Sequence, residues 1–260
     1  MVEDYNAERE AYEAELKKKV NDAFADGAIN GIDVSVHNGN IEWDKVKAAG
    51  VDFAILRAGY GKSIAQKDKK FEANYLGAKK VGIPIGVYWY SYAKNANEAL
   101  EEAKALEQIL VGKQFELPIF YDLEEKCTEA NANEIADTFC SYLESKGYYV
   151  GIYANKSYFN VHLPAITSRW CGWVAQWAAK CTFSQPYIVW QKSDKGRVNG
   201  VGGYVDLDEF ASKEQFETVQ NIIHQQGLNG YTPLVKETEK KDTLEIYFNG
   251  KCIFSGKVDI

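Results

Sequence analysis

Short apolar runs alternate with amphipathic stretches along most of this chain. Gly31 to Val36 reads as a first strand. Ile32, Val34 and Val36 lie on one face of it, Asp33 and Ser35 on the other. Ile41 to Ala49 reads as a helix closed by Gly50. Val51 to Tyr60 is a second strand, and Phe71 to Lys80 a helix followed by Gly82. Ile83 to Tyr92 is a third strand, with Tyr88, Tyr90 and Tyr92 on one face. Asn95 to Val111 is a helix whose Asn95 and Glu98 outline a capping box. Pro118 to Glu124 is a fourth strand, Asn131 to Lys146 the next helix, and Tyr148 to Ala154 a fifth strand.

The rhythm then changes. Phe159 to Ile166 leaves room for a short helical piece. Gly172–Trp177, Tyr187–Gln191 and Gly203–Leu207 follow with no full helix between them. Five strand-then-helix units and three bare strands make eight strands, enough to close an α/β barrel of TIM type, irregular in its last part. Alternating units favour a parallel sheet, and barrel sites gather at the C-terminal ends of the strands. Asp122, Glu124 and Asp206 are expected there. Glu214 to Gln226 is a last helix, and Gly227 to Pro233 a linker. Leu244–Phe248, Asn249-Gly250 and Lys251–Phe254 form a hairpin pattern. At the other end, Asp4 to Phe24 reads as a charged helix with a narrow apolar stripe, ended by Asp26-Gly27. The expected organisation is an N-terminal helical arm over 1–29, a barrel over 30–226, and a linker with a β-hairpin tail over 227–260, the hairpin either packing on the barrel edge or opening a further module.

Composition narrows the function. The chain has 260 residues, 46% of them hydrophobic, which supports a sizeable core. A net charge of −7 argues against a nucleic-acid partner, which needs a basic face. No apolar stretch is long enough to span a bilayer. Met1 to Ala25 is too charged for a signal peptide, so either the protein leaves the cell by another route or a leader has been removed. With 6 Trp and 17 Tyr the chain has flat apolar faces that suit a sugar. The five cysteines Cys127, Cys140, Cys171, Cys181 and Cys252 have no C-x-x-C spacing, so no zinc is expected and the thiols should be free and buried. No internal repeat or low-complexity tract is present.

The chemistry centres on Pro118-Ile119-Phe120-Tyr121-Asp122-Leu123-Glu124. Asp122 and Glu124 are two residues apart, about 6.6 Å along a strand and on the same side of it. Each then raises the other's pKa, and the more buried one stays protonated near neutral pH. One ionised and one protonated carboxyl is what cleavage of a glycosidic bond requires. The same residues could equally cap the helix that follows, and spacing alone does not separate the two readings. Asp33 adds a second signal, since a charge in a short apolar strand is costly unless it is paired or functional. Clustered carboxylates could also hold a divalent cation. Ser35 has no His/Asp arrangement to activate it, and His37, His162 and His224 read as surface or loop residues.

Several motifs agree in order and spacing. Gly31-Ile32-Asp33-Val34-Ser35, Phe53 to Gly61, Gly86-Val87-Tyr88-Trp89-Tyr90, Asp122-Leu123-Glu124, Gly151-Ile152-Tyr153, Val189-Trp190-Gln191 and Val205-Asp206 together resemble the family 25 glycoside hydrolases, muramidases of bacteria and their phages often called lysozymes. The resemblance covers about Asn30 to Phe210. It implies an irregular barrel of five β/α units and three further strands. It also implies hydrolysis of the β-1,4 bond from N-acetylmuramic acid to N-acetylglucosamine in peptidoglycan glycan strands, by a monomer without cofactor or metal, secreted or phage-released and acting at the bacterial cell wall. Carried over, Glu124 matches the general acid and Asp122 its acidic partner. Asp33 and Asp206 match two further acids at the barrel mouth. Tyr88, Tyr90, Tyr153, Trp177 and Gln191 fall where the family lines its sugar groove. One position departs: the family often has Asn two residues after the last aspartate, and this chain has Asp208. An Asp-x-Glu pair resembles enzymes in which the substrate's acetamido oxygen attacks. A carboxylate nucleophile and an inverting water stay open, as do a sugar-binding module without catalysis and a metal-dependent hydrolase.

Overall fold

The computed structural model describes residues 27–164 and 169–233, with the backbone of strands Thr243–Phe248 and Lys251–Lys257. The helix expected over Asp4 to Phe24 lies outside the described residues. Eight strands close into a barrel in chain order: β1 (Asn30–Val34), β2 (Phe53–Tyr60), β3 (Ile85–Tyr90), β4 (Ile119–Asp122), β5 (Val150–Asn155), β6 (Cys171–Ala175), β7 (Val189–Gly196) and β8 (Val205–Phe210). Helices α1 (Trp43–Ala48), α2 (Phe71–Lys80), α3 (Ala96–Leu110), α4 (Ala132–Ser145) and α5 (Lys156–His162) follow the first five strands in turn. Helix α6 (Lys213–Gln226) follows the last. Thr243–Phe248 (β9) and Lys251–Lys257 (β10) pair antiparallel, as the Asn249-Gly250 pattern predicts.

Strand period separates two apolar sets. Ile32, Val34, Ala54, Leu56, Trp89, Tyr121, Ile152 and Val174 point out and pack against the helices. Phe53, Ile55, Phe120, Tyr153, Trp173, Val189 and Phe210 point in and fill the barrel, closed below by Val219 and Ile223 of α6. Helix α4 buries Ile135, Ala136, Phe139, Cys140 and Leu143, the spacing of one helical face. Phe139 stacks on Tyr121 with ring centroids 3.6 Å apart. At Gly31 any side chain would meet the Phe53 ring, since a Cβ there would lie 2.3 Å from it.

The sheet is not parallel throughout. β1 to β7 run parallel, but β8 is antiparallel to both β7 and β1. The reason is the connection: no helix lies between β7 and β8, and a return without a crossover reverses the strand. Asp206 therefore reaches the mouth from the start of its strand rather than from its end. The first strand is also shorter than expected. Ser35 caps a 3-10 turn over Val36–Asn38, so Val36 leaves the strand.

The segment expected as a linker is stitched to the barrel base. Gly227 closes α6 in the left-handed conformation, φ 67°. Two residues on, Asn229 is fully buried with φ 53°. Its side chain donates to the Leu117 carbonyl at 2.9 Å and accepts from the Tyr149 amide at 2.8 Å. The Asn229 carbonyl accepts from the Phe115 amide at 3.2 Å.

The thiols of Cys127, Cys140, Cys171 and Cys181 are free, but only Cys140 is buried; the other three are half-buried. The expectation of uniformly buried thiols is corrected to that extent. Burial against α4's own core explains Cys140. The side chain of Cys252 lies outside the described residues.

Candidate active site

The inward face that fills the barrel turns polar at its upper end. Asp33 follows Gly31 on β1, Arg57 follows Ile55 on β2, and Asp122 follows Phe120 on β4. On the reversed β8 the inward order is Asp206, Asp208, Phe210. Asp33 and Asp206 are direct partners across the β1–β8 ladder. A cavity of about 360 Å³ opens here, and Asp33, Asp122, Glu124 and Asp206 all line it. Tyr88, Tyr90, Tyr153 and Gln191 line it too. Trp177 does not line the pit. It is 60% exposed at the rim, where its Nε1 donates to Gln191 Oε1 at 3.2 Å.

Gln191 organises the pit wall. Its Oε1 also accepts from the Tyr153 hydroxyl at 3.0 Å, and its Nε2 donates to Asp33 Oδ2 at 2.8 Å. Arg57 is held by Asp68, whose Oδ2 accepts from Nε at 2.7 Å. Asp68 also accepts from the amides of Val36 and Lys70, at 3.0 and 2.8 Å. The pit is thus strongly acidic, and the cation that lines it is already paired.

The carboxyls sit at different depths. Asp122 is 4% exposed, and its Oδ1 is buried without a hydrogen-bond partner. Burial raises its pKa well above the carboxylate range, and the charge of Glu124 adds to this while Arg57 opposes it. Glu124 lies just past the end of β4 and keeps an open face at the mouth. Crowding by protein atoms still raises its pKa, and the Glu125 charge adds to it. Tyr90 pulls the other way, but its single hydroxyl proton goes to Glu125 Oε1 at 2.8 Å. The more buried member of the pair is Asp122. One expectation is corrected here: the repulsion raising Glu124 comes from Glu125 and not from Asp122, because Glu124 has left the strand and turned to the mouth. Asp206 is pushed up to about 6 by burial, then by Asp194 and Glu124. The capping alternative for Asp122 and Glu124 does not hold: the 3-10 turn over Lys126–Asn131 starts at Glu125 and has no side-chain cap.

Sequence reasoning passed over several pit residues. Trp173 forms the floor, packed 4.5 Å from the Tyr153 ring and 5.2 Å from that of Phe120. Arg57 carried a signal, a cation inside an apolar strand, whose partner Asp68 lies in a loop. His37, read as a surface or loop residue, is exposed in the turn after β1 and also lines the pit, as do Asn38 and Tyr204. His37 and Asn38 come from the 3-10 turn after β1, of which the strand reading took in only Val36. A second cavity of about 600 Å³ adjoins the pit through His37, Arg57 and Tyr90. Tyr60 and Tyr92 border it, exposed and edge-to-face at 6.2 Å.

A closed eight-stranded barrel with acids at one mouth is shared by many enzymes, so the ordered sequence match decides. The profile described as Glycosyl hydrolases family 25 matches residues 32–201, the span that carries Asp33, Asp122, Glu124 and Gln191. The chain belongs to glycosyl hydrolase family 25. Lysozyme M1 of Streptomyces globisporus is 31% identical to this family 25 chain over 205 residues, covering 70% of the chain and 67% of the relative. The autolytic lysozyme of Clostridium acetobutylicum is 28% identical over 187 residues, covering 70% of the chain but only 56% of the relative's length. Among solved structures, the bacterial lysozyme of Streptomyces coelicolor superposes with a TM-score of 0.67 at 26% identity, covering 76% of this chain and 99% of that one. The modular autolysin LytC of Streptococcus pneumoniae, solved with a synthetic peptidoglycan ligand, superposes at 0.64 with 28% identity, covering 72% and 47%.

Proposed function

We propose that this family 25 barrel hydrolyses the β-1,4 bond from N-acetylmuramic acid to N-acetylglucosamine in bacterial peptidoglycan, working at the cell wall with residues 30–226 as its catalytic unit. The observation that carries the reading is the unpaired, buried Asp122 Oδ1 inside a pit that also holds Glu124. A buried acceptor without a donor is costly unless a ligand completes it. An acetamido N–H of the sugar bound in the pit supplies that donor.

In the free pit, burial favours a proton on Asp122. When the substrate N–H donates to Asp122, the charged form gains a hydrogen bond and its pKa falls. The proton then belongs on Glu124, which stands at the mouth beside the leaving oxygen. Glu124 protonates that oxygen as the C1–O bond breaks. The acetamido group, oriented by Asp122 through its N–H, attacks C1 from the opposite face with its carbonyl oxygen and forms a cyclic oxazolinium. Water, deprotonated by the now ionised Glu124, opens the ring and restores the acetamide, so the anomer is retained. Asp33 and Asp206 offset the positive charge that grows at the sugar. Exposed Tyr60 and Tyr92 on one side of the pit, and Trp177 and Tyr204 on the other, offer flat faces for neighbouring sugars.

Mass spectrometry of fragments released from purified peptidoglycan tests the bond, with N-acetylmuramic acid expected at the new reducing ends. Fragments ending in N-acetylglucosamine would overturn the reading. Proton NMR in the first seconds reads the anomer, and inversion would exclude the acetamido route. Digestion that survives EDTA supports the metal-free chemistry, while loss restored by a divalent cation would favour the metal-dependent alternative.

A further inference from the structure

We propose that Asp208 is a positioning residue that shares one proton with Asp33 beneath the pit, so that the pair carries one negative charge rather than two while glycan is cut. This rests on the glycosidase reading for its catalytic consequence, but not for the proton itself.

Asp208 is fully buried one inward position below Asp206 on β8, cross-strand from Gly31 of β1 and Gln191 of β7. Its Oδ1 accepts from Trp173 Nε1 at 2.8 Å, while its Oδ2 is buried and receives no hydrogen bond. Asp33, 5% exposed, accepts a single side-chain donor, Gln191 Nε2. The carboxyls of Asp33 and Asp208 lie within hydrogen-bonding reach of each other. Two carboxylates have no donor between them, so this contact is a bond only with a proton in it. Without that proton, two charges would sit in a dry site with two neutral donors.

Among the described residues no unpaired cation compensates. Asp206 on β8 faces both carboxyls, adds repulsion and also reaches Asp33, but it is only half-buried and opens into the pit, whereas Asp208 is sealed beneath it. Lys192 on β7 is a positive group whose charge acts on Asp208, but its Nζ pairs with Glu209 Oε2 at 3.0 Å. Arg57 on β2 is held by Asp68. Tyr88 on β3 and Tyr153 on β5 bring neutral phenols whose ionisation is disfavoured by burial and by these same acids. Burial accordingly raises Asp33 and Asp208 well above the carboxylate range. While the proton stays, Asp208 does for Asp33 what an amide N–H would do. When it leaves, the pit gains a second charge, Asp33 loses its partner, and Glu124 and Asp206 are disturbed with it.

The test is Asp208→Asn, which replaces the titrating donor with a permanent one. In the parent the fold keeps a proton that the unfolded chain releases above about pH 4, so stability falls as pH rises through that point towards neutrality. In the variant, unfolding midpoints followed over that window should decline with a slope smaller by one proton. The alkaline limb of kcat/KM should also lose one ionisation and move to higher pH. A merely structural role would shift the midpoint without changing either slope. Should the variant fail to fold, the 13C titration of Asp33 and Asp208 carboxyls in the unmodified protein decides. Two resonances moving together with one proton held past neutrality support the proposal; two independent titrations near the ordinary value overturn it. An unchanged stability slope defeats the shared proton whatever the activity. A reduced slope in a chain that cuts no glycan leaves the shared proton standing and removes the catalytic reading.

Discussion

Glu124→Gln separates proton donation from every other task of the pit. The amide keeps the size of the side chain but has no acidic proton to give. General acids contribute roughly 10²- to 10⁴-fold, so kcat/KM on glycan fragments should fall by that factor. At about 1.36 kcal/mol per tenfold, the barrier rises by roughly 3–5 kcal/mol. The fold should not suffer. Burial raises the Glu124 pKa, which means the folded protein disfavours its charge. A neutral amide removes that cost, so the unfolding midpoint near neutral pH should stay level or rise. An aryl glycoside sharpens the assay, because its leaving group departs without protonation. On that substrate the deficit should shrink to within about tenfold. If the variant cleaves natural glycan within about tenfold of the parent, Glu124 is not the acid. If both substrates suffer equally, Glu124 positions the sugar and another group delivers the proton.

Asp206→Asn should raise the melting temperature near neutral pH. The folded pKa of Asp206 is lifted to about 6, so its contribution is fully present below the unfolded value and lost as pH rises through 6. A gain that persists at about pH 3, where both states are protonated, would break this account. Trp177→Ala should raise KM for polymeric glycan and leave kcat nearly unchanged, since the ring stands at the rim and outside the pit; a fall in kcat alone would place it in the chemistry. Phe139→Ala removes a fully buried ring stacked on Tyr121, and urea titration should show a loss of about 3–5 kcal/mol. A loss below about 1 kcal/mol would mean that the site collapses freely.

The barrel was legible because alternation sorts these strands without ambiguity. Ile32 and Val34 flank Asp33, and Tyr121 and Leu123 flank Asp122, so each aspartate had to face the other way from its apolar neighbours. A charge in such a run is costly, which is why Asp33 stood out, while Asp122 stood out by its spacing from Glu124. Strand direction was not legible in the same way. Val205–Phe210 looks alike read either way, and only the absence of a crossover helix marks β8 as reversed. Glu124 was placed on the strand because the pattern cannot show where a ladder stops. Arg57 and Trp173 were missed for a different reason: their roles come from partners on distant elements, Asp68 for Arg57 and Asp208 for Trp173. Asp208 was noticed as a departure, but that it touches Asp33 is a fact of the closed barrel.

Asn229 has a practical corollary. It ties the stretch after α6 to the entrances of β4 and β5, at Leu117 and Tyr149. Anyone transplanting the catalytic unit into a fusion should therefore cut after Pro233 and not after the helix. The shorter excision would strip two side-chain bonds from the underside, the end away from the sugar, and any weakness it introduced would be mistaken for a defect of catalysis.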